Sequence, residues 1–302
     1  MSYPPLIEKC YPPETLERLN AIRVGWEKVN DGSAESELCW LAMVAILRAT
    51  SPVGTAPWQY VLPRKSKAQP LEPFRAFRDQ VGMMAADMST FHGAIPPKSG
   101  GVLNDDARSL KNVPDDWADL VITSPPYANN YDYADATRLE QSFLGEISGW
   151  GDLQTTVRPH LVRSCTQHVA PSVKETVEVL ARESLEAIRA ELVETCIRLG
   201  TERETRGGKK PYHTMLAFYF YDLSQVWLSL RRVARRGSTV CFVVGDSAPY
   251  GVHVPVERWL GELAVAAGFR SYRFEKLRDR NTKWKNRKHR VKLHEGRLWV
   301  EG

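Results

Sequence analysis

Asp119-Leu120-Val121-Ile122-Thr123-Ser124-Pro125-Pro126-Tyr127 is the stretch on which the reading of this chain turns. The apolar run Leu120-Val121-Ile122 predicts a short strand of the kind buried on both faces of a parallel sheet. Two successive prolines cannot donate to a sheet ladder, and each restricts the residue before it, so the strand stops and the chain turns rigidly. Open α/β sheets bind ligands beyond the carboxyl ends of their strands, which is where this turn falls. Carbonyl oxygens exposed by the prolines are acceptors, and Ser124 adds a hydroxyl. Together they can take both protons of an amino group, favouring a more tetrahedral nitrogen with its lone pair turned outward. Tyr127 supplies a flat stacking face. Alone, four such residues describe a turn. Here they follow a strand and precede Ala128-Asn129-Asn130-Tyr131-Asp132-Tyr133, so Asn129, Tyr131, Asp132 and Tyr133 are expected to line a substrate pocket beside them.

Upstream, helical spacing covers Pro13–Val29, Ala34–Ala49 and Phe74–Thr90, and the Pro-rich, basic stretch from Ser51 to Pro73 predicts a loop. The texture changes at Gly100, which divides a helical region, residues 1–99, from an α/β region, residues 100–302. Gly101 to Asp106 predicts a short strand ending in acids. Lys174–Leu199 reads as one long amphipathic helix, and Met215–Val233 as an apolar helix stopped by Arg235-Arg236-Gly237. Ser238–Gly245 is the clearest buried strand. Val256–Ala267 is a helix closed by Gly268, and Ser271–Leu277 with Arg297–Glu301 predicts a C-terminal antiparallel hairpin. Asp246 and Ser247 follow the Ser238–Gly245 strand at another carboxyl edge, where they either face a ligand or cap the next helix.

The chain has 302 residues, 43% of them apolar, enough for a packed core. No run is long and apolar enough for a membrane span and no secretion signal is visible, so a cytoplasmic location is expected and no membrane partner. Five well-separated cysteines, with neither Cys-x-x-Cys nor paired histidines, point to reduced structural thiols and no metal site. The net charge of +5 is unevenly spread: Arg270 to Lys292 holds eleven Lys or Arg against two acids. Such a concentration is the footprint of a polyanion. Arg278, Arg280, Lys283, Lys285, Arg287 and Lys288 are expected to meet phosphates, with Trp284 as a stacking group.

Asp119 to Glu140 resembles the catalytic motif, with its downstream extension, of the amino-group DNA methyltransferases, which modify N4 of cytosine or N6 of adenine. The likeness extends through Asn104-Asp105-Asp106, Gly237 to Gly251 and the closing Lys292-to-Glu301 segment. It implies a Rossmann-like methyltransferase sheet, S-adenosylmethionine as methyl donor, and double-stranded DNA as substrate, bound with one base flipped out. Ser124, Pro125, Pro126 and Tyr127 would be catalytic. Asp106, Thr123, Asp246 and Ser247 would touch the donor. A serine in the first motif position is associated with cytosine, so N4-cytosine is favoured and N6-adenine is the alternative. Restriction-modification is the usual setting. The family's Asp-Pro-Phe-x-Gly-x-Gly-Thr run is missing, and with it the first strands of the sheet. Either a second polypeptide supplies it, making this half of a split enzyme, or the chain is a degenerate relative; intact catalytic residues favour the first. The rival class is a non-catalytic DNA-binding or assembly subunit, and RNA or protein methylation shares the same amine chemistry.

Overall fold

The computed structural model describes residues 3–55, 61–66, 69–91, 100–129, 131–208, 210–280 and 291–302, which fall into two compact units. The first comprises residues up to Val102 together with Tyr133–Val157. Its helices α1 (Pro5–Cys10) and α2 (Pro13–Val29) each begin on a proline, whose missing N–H is no loss in a first turn. Helix α3 (Ala34–Thr50) starts where the Ser33 hydroxyl accepts from the Ser36 amide at 3.2 Å. A short antiparallel hairpin, β1 (Val53–Thr55) and β2 (Val61–Ser66), occupies part of the expected loop, and α4 (Pro73–Phe91) follows.

Three short helices, α5 (Tyr133–Ala136), α6 (Arg138–Leu144) and α7 (Trp150–Asp152), complete this unit. Leu139 and Phe143 of α6 join Ile7, Leu19, Met43 and Leu47 in its core. Glu140 is paired with Arg48 at 2.6 Å, and Arg138 with Asp135 at 3.3 Å. Arg138 and Glu140 thus serve separate pairs, as residues two apart on a helix do not face each other.

The second unit holds residues 103–132 and 158–302. Its sheet has the order β3-β4-β6-β5, built from β3 (Ala118–Thr123), β4 (Ala234–Gly245), β5 (Ser271–Arg280) and β6 (Leu293–Glu301). The β3/β4 pair is parallel and the other two pairs are antiparallel, so the predicted C-terminal hairpin is present. Between β3 and β6, β4 carries Val240, Phe242 and Val244 on one face, beside Leu298 and Val300 of β6. Helices α10 (Tyr212–Val233) and α11 (Val256–Ala266) cover that face, with Trp227 stacked on Phe242 at 4.3 Å and Trp259 edge-on to Phe220. Gly261 lets α11 approach closely: a Cβ there would lie 2.3 Å from the Tyr272 ring.

The structure corrects several expectations. Strand β3 is not buried on both faces: Val121 packs on the core, but Leu120 is 56% and Ile122 69% exposed. Those two share the opposite face with Cys241 and Trp299, outside the core cluster that α10 and α11 pack against. Residues 101–106 form no strand. Asp105 and Asp106 instead accept amides of the turn that follows, from Asn112 at 2.6 Å and Arg108 at 2.8 Å. The single helix expected over Lys174–Leu199 is broken into α8 (Val173–Leu180), a 3-10 turn and α9 (Arg189–Thr205). The Arg189 guanidinium donates to the carbonyls of Leu180, Ala181 and Arg182, satisfying the end of α8. Arg235 to Gly237 do not end α10 but form an irregular start to β4, where Gly237 has φ +77° and Arg235 pairs with Asp119.

Candidate functional site

Strand β3 delivers Ser124 to the carboxyl edge of the parallel pair. There the Ser124 hydroxyl donates to the Val243 carbonyl of β4 at 3.2 Å. Because that bond uses its only hydrogen, the exposed oxygen presents lone pairs to solvent, which is the acceptor role its chemistry predicts. Pro125 is buried, anchoring the turn, while Tyr219 donates its phenolic O–H to the Pro126 carbonyl at 2.9 Å. Tyr219 lies wholly inside the core, and burial raises its pKa, so it stays a donor. On an apolar helix such a tyrosine reads as core, and only the tertiary position of its hydroxyl shows the second role.

Tyr127 is half-buried, and burial, with the charge of Glu295 next, holds its phenol above the usual range. Its hydroxyl is in hydrogen-bonding reach of the Ser124 and Glu295 side chains. The Arg280 guanidinium lies over the ring, 4.9 Å from the centroid. Arg280 also donates to the Asp246 carbonyl at 2.9 Å. The Asp246 side chain is completely buried: one oxygen accepts the His294 amide at 2.7 Å, and the other faces His253 at 2.9 Å and His294 at 3.3 Å. Its hydrogen bond raises the pKa of His253. Ser247 forms a backbone bridge with Val254 and is buried. The fold therefore gathers Ser124, Tyr127, Asp246 and Arg280, adding Glu295 and His294, which sequence patterns left unmarked.

Other predicted residues lie in separate networks. Asp106 is bound by the Arg108 guanidinium at 2.7 Å, which holds its carboxyl below the usual range; Arg108 also reaches the buried Asp222 at 3.8 Å. Asp222 accepts Arg163 through the backbone and side chain, each at 2.9 Å. Thr123 ends β3, paired with Phe242. Asn129 takes the left-handed conformation at φ +58°, its amide donating to the Ser164 carbonyl. Tyr131 is half-buried. Tyr133 opens α5 in the first unit. Arg278 lies on β5, 70% exposed and paired with Glu295, whereas Lys283, Trp284, Lys285, Arg287 and Lys288 lie outside the described residues.

Asp132, Cys165 and His168 place three candidate ligand atoms within 4.8 Å of one another. Arg158 already sits on Asp132 at 2.8 Å and His168 at 3.0 Å. Burial opposes ionisation of Asp132, but these two partners outweigh it and hold the carboxyl low. Burial pushes the Cys165 thiol up to about 12. A resident guanidinium and an un-ionised thiol make this a buried ion-pair network, poorly suited to a cation. All five cysteines are free, and Cys196 is likewise raised to about 12 by burial. None of the described helices is long and apolar enough to cross a membrane.

No family model matches the chain, and no solved structure matches it. Its sequence is similar to two curated proteins named Type II methyltransferase M.AvaI, from Nostoc sp. and Anabaena variabilis, at 27% identity over 289 residues, spanning 87% of this chain and 57% of each of theirs. Type II methyltransferase M.BsoBI of Geobacillus stearothermophilus is 26% identical over 183 residues, 57% of this chain and 35% of its own. The chain thus spans little more than half the length of the M.AvaI relatives, and these likenesses are to methyltransferases.

Proposed function

We propose that this chain is the catalytic-motif half of a restriction-modification DNA methyltransferase that modifies the exocyclic N4 amine of cytosine. The observation that carries the reading is the Ser124 hydroxyl, committed as donor to Val243 and therefore an acceptor outward, beside a stacking tyrosine at a carboxyl sheet edge. The likeness to methyltransferases supports it. In this reading Ser124 and the Pro125 carbonyl accept the two N–H groups of a flipped-out base and Tyr127 stacks on its ring. Arg278 and the basic segment beyond Arg280 engage DNA phosphates.

S-adenosylmethionine would supply an electrophilic methyl group. The described residues do not by themselves build its site: the Asp106 and Asp246 carboxylates are occupied by the chain's own partners, and no glycine-rich turn follows β3 or β4. We assign that site to a second polypeptide bearing the Asp-Pro-Phe-x-Gly-x-Gly-Thr element. Its docking region is the outer edge of β3 and the uncovered face around Leu120 and Ile122, a Rossmann-like sheet then being completed from outside.

The test is transfer of a tritiated methyl group to unmodified duplex DNA by the chain alone, by the chain with a glycine-motif polypeptide, and by Ser124→Ala in each, with mass analysis of the methylated base. Transfer only in the mixture, at cytosine N4 and lost in Ser124→Ala, is expected. Adenine N6 as product would move the substrate, and activity of the chain alone would end the split reading. DNA binding with no transfer in any mixture would make it a non-catalytic subunit.

A further inference from the structure

Arg278 and Arg280 lie two residues apart on β5, in a segment whose charge suggests phosphate contact, yet the fold treats them differently. The Arg278 side chain is 70% exposed, Arg280 only 16%. Arg280 is locked from several sides. It donates to the Asp246 carbonyl, lies 3.9 Å from Glu295 and covers Tyr127 at 4.9 Å. Below it is Gly245, the last residue of β4, where a Cβ would come within 2.7 Å of its Nη1 and 3.0 Å of the His294 carbonyl. An arginine that meets DNA phosphates from solvent needs no such cradle, and extraction from it would leave the Asp246 carbonyl and one face of Tyr127 without their partner.

We infer that Arg280 is a positioning residue for Tyr127, holding one face of the ring so that the other is presented to the substrate base, and is not a phosphate contact. The inference rests on the reading of Ser124 to Tyr127 as the amine site. A guanidinium suits the task because it is planar and can stack on the ring while donating sideways to a carbonyl. The stack would have three layers, guanidinium, phenol and base, the first fixed by β4 and β5 before DNA arrives. Preorganisation of this kind acts on turnover more than on encounter.

The test separates the two roles with Arg280→Gln, Arg280→Lys, Gly245→Ala and Arg278→Gln. Gly245→Ala displaces the guanidinium while keeping every charge. In the active mixture, the three variants at 280 and 245 should lower kcat by roughly tenfold or more, with KM for DNA within about twofold of wild type. Lysine should not rescue. For binding to a random-sequence duplex, they should leave the salt dependence unchanged, whereas Arg278→Gln lowers its slope by about 1. A third readout needs no turnover. In the 15N–1H spectrum the Arg280 Nε–H resonance, identified by its loss in Arg280→Gln, should be shifted by the Tyr127 ring, return to the ordinary range in Tyr127→Leu, and stay fixed when duplex is added. A salt slope lowered by about 1 in Arg280→Gln, rescue by lysine, or no ring-induced shift would each overturn the inference. If wild-type mixtures transfer no methyl group while resonance and slope behave as expected, the methyltransferase reading fails and the place of Arg280 on Tyr127 stands.

Discussion

The sheet of the second unit ends in two unlike edges. At β5 the outer strand is guarded by charge: Arg273, Glu275, Lys276 and Arg278 line it, and Arg297 and Trp299 of β6 are tied to Glu275. That is how natural sheets discourage pairing with other chains. At β3 the outer strand exposes Leu120 and Ile122, with Trp117 just before it 61% exposed, and its one described ion pair is Asp119 with Arg235. An apolar parallel strand with no strand on its outer side among the described residues is a poor end to a sheet, since parallel strands are ordinarily covered on both faces. One edge is closed by charge, whereas the other leaves apolar side chains in contact with water.

The sharpest way to break this comparison is at the charged edge. Gly296 of β6 pairs with Lys276, and a Cβ on it would fall 2.2 Å from the Glu275 carbonyl. Backbone cannot retreat as a side chain can, so Gly296→Ala should cost on the order of 3 kcal/mol in denaturant unfolding. A loss below about 1 kcal/mol would show that the hairpin yields.

At the β3 edge the expectation reverses. Leu120→Lys with Ile122→Lys should leave the unfolding free energy of the chain within about 0.5 kcal/mol of wild type, because both side chains already meet water. The same pair should weaken capture of a glycine-motif polypeptide at least about tenfold in a titration. Unchanged capture would remove this edge as the docking region.

Between the edges, His253 gives a smaller, pH-dependent effect. Its pKa is raised chiefly by the hydrogen bond to Asp246. A raised folded-state value means that its stabilisation is complete below the ordinary histidine value of about 6.5 and is lost as pH climbs through the folded value. The Tm difference between wild type and His253→Gln should therefore be widest below the ordinary histidine value of about 6.5 and narrow as pH rises above it. A gap that widens with pH would contradict the Asp246 pairing.

Smallest of all, amides of β3 that point away from β4 should exchange with deuterium faster than those of β6, which is bonded on both sides. Added glycine-motif polypeptide should slow them. Exchange that stays fast under saturating polypeptide would place docking elsewhere.

Much of this was legible in residue patterns. Pro13–Val29 appears with the predicted bounds, and the α3, α10, α11 and β4 segments and the terminal hairpin lie within a few residues of expectation, because each is a periodic or continuous apolar run between Pro, Ser or Gly signals. Ser124 could be singled out from its place after an apolar strand. What stayed hidden depends on partners distant in sequence. The break at Arg182 needs the capping guanidinium of Arg189, and the acids at 105 and 106 fold on neighbouring amides instead of entering a strand. Composition placed Arg280 among phosphate-seeking cations, since charge counting cannot see the Gly245 cradle. Exposure of Leu120 and Ile122 was invisible too, as an apolar run reads alike whether its cover lies in the same chain or outside it.

The hydrogen bond from Ser124 to Val243 has one more consequence. It crosses from β3 to β4, so the polarity of the hydroxyl is set by strand register, and a slip of one residue would turn Ser124 towards the other face. An aspartate at this position, having no proton to give, would set its charge against the Val243 carbonyl. Replacement of the hydroxyl by a carboxylate at this position is thereby penalised by the neighbouring strand.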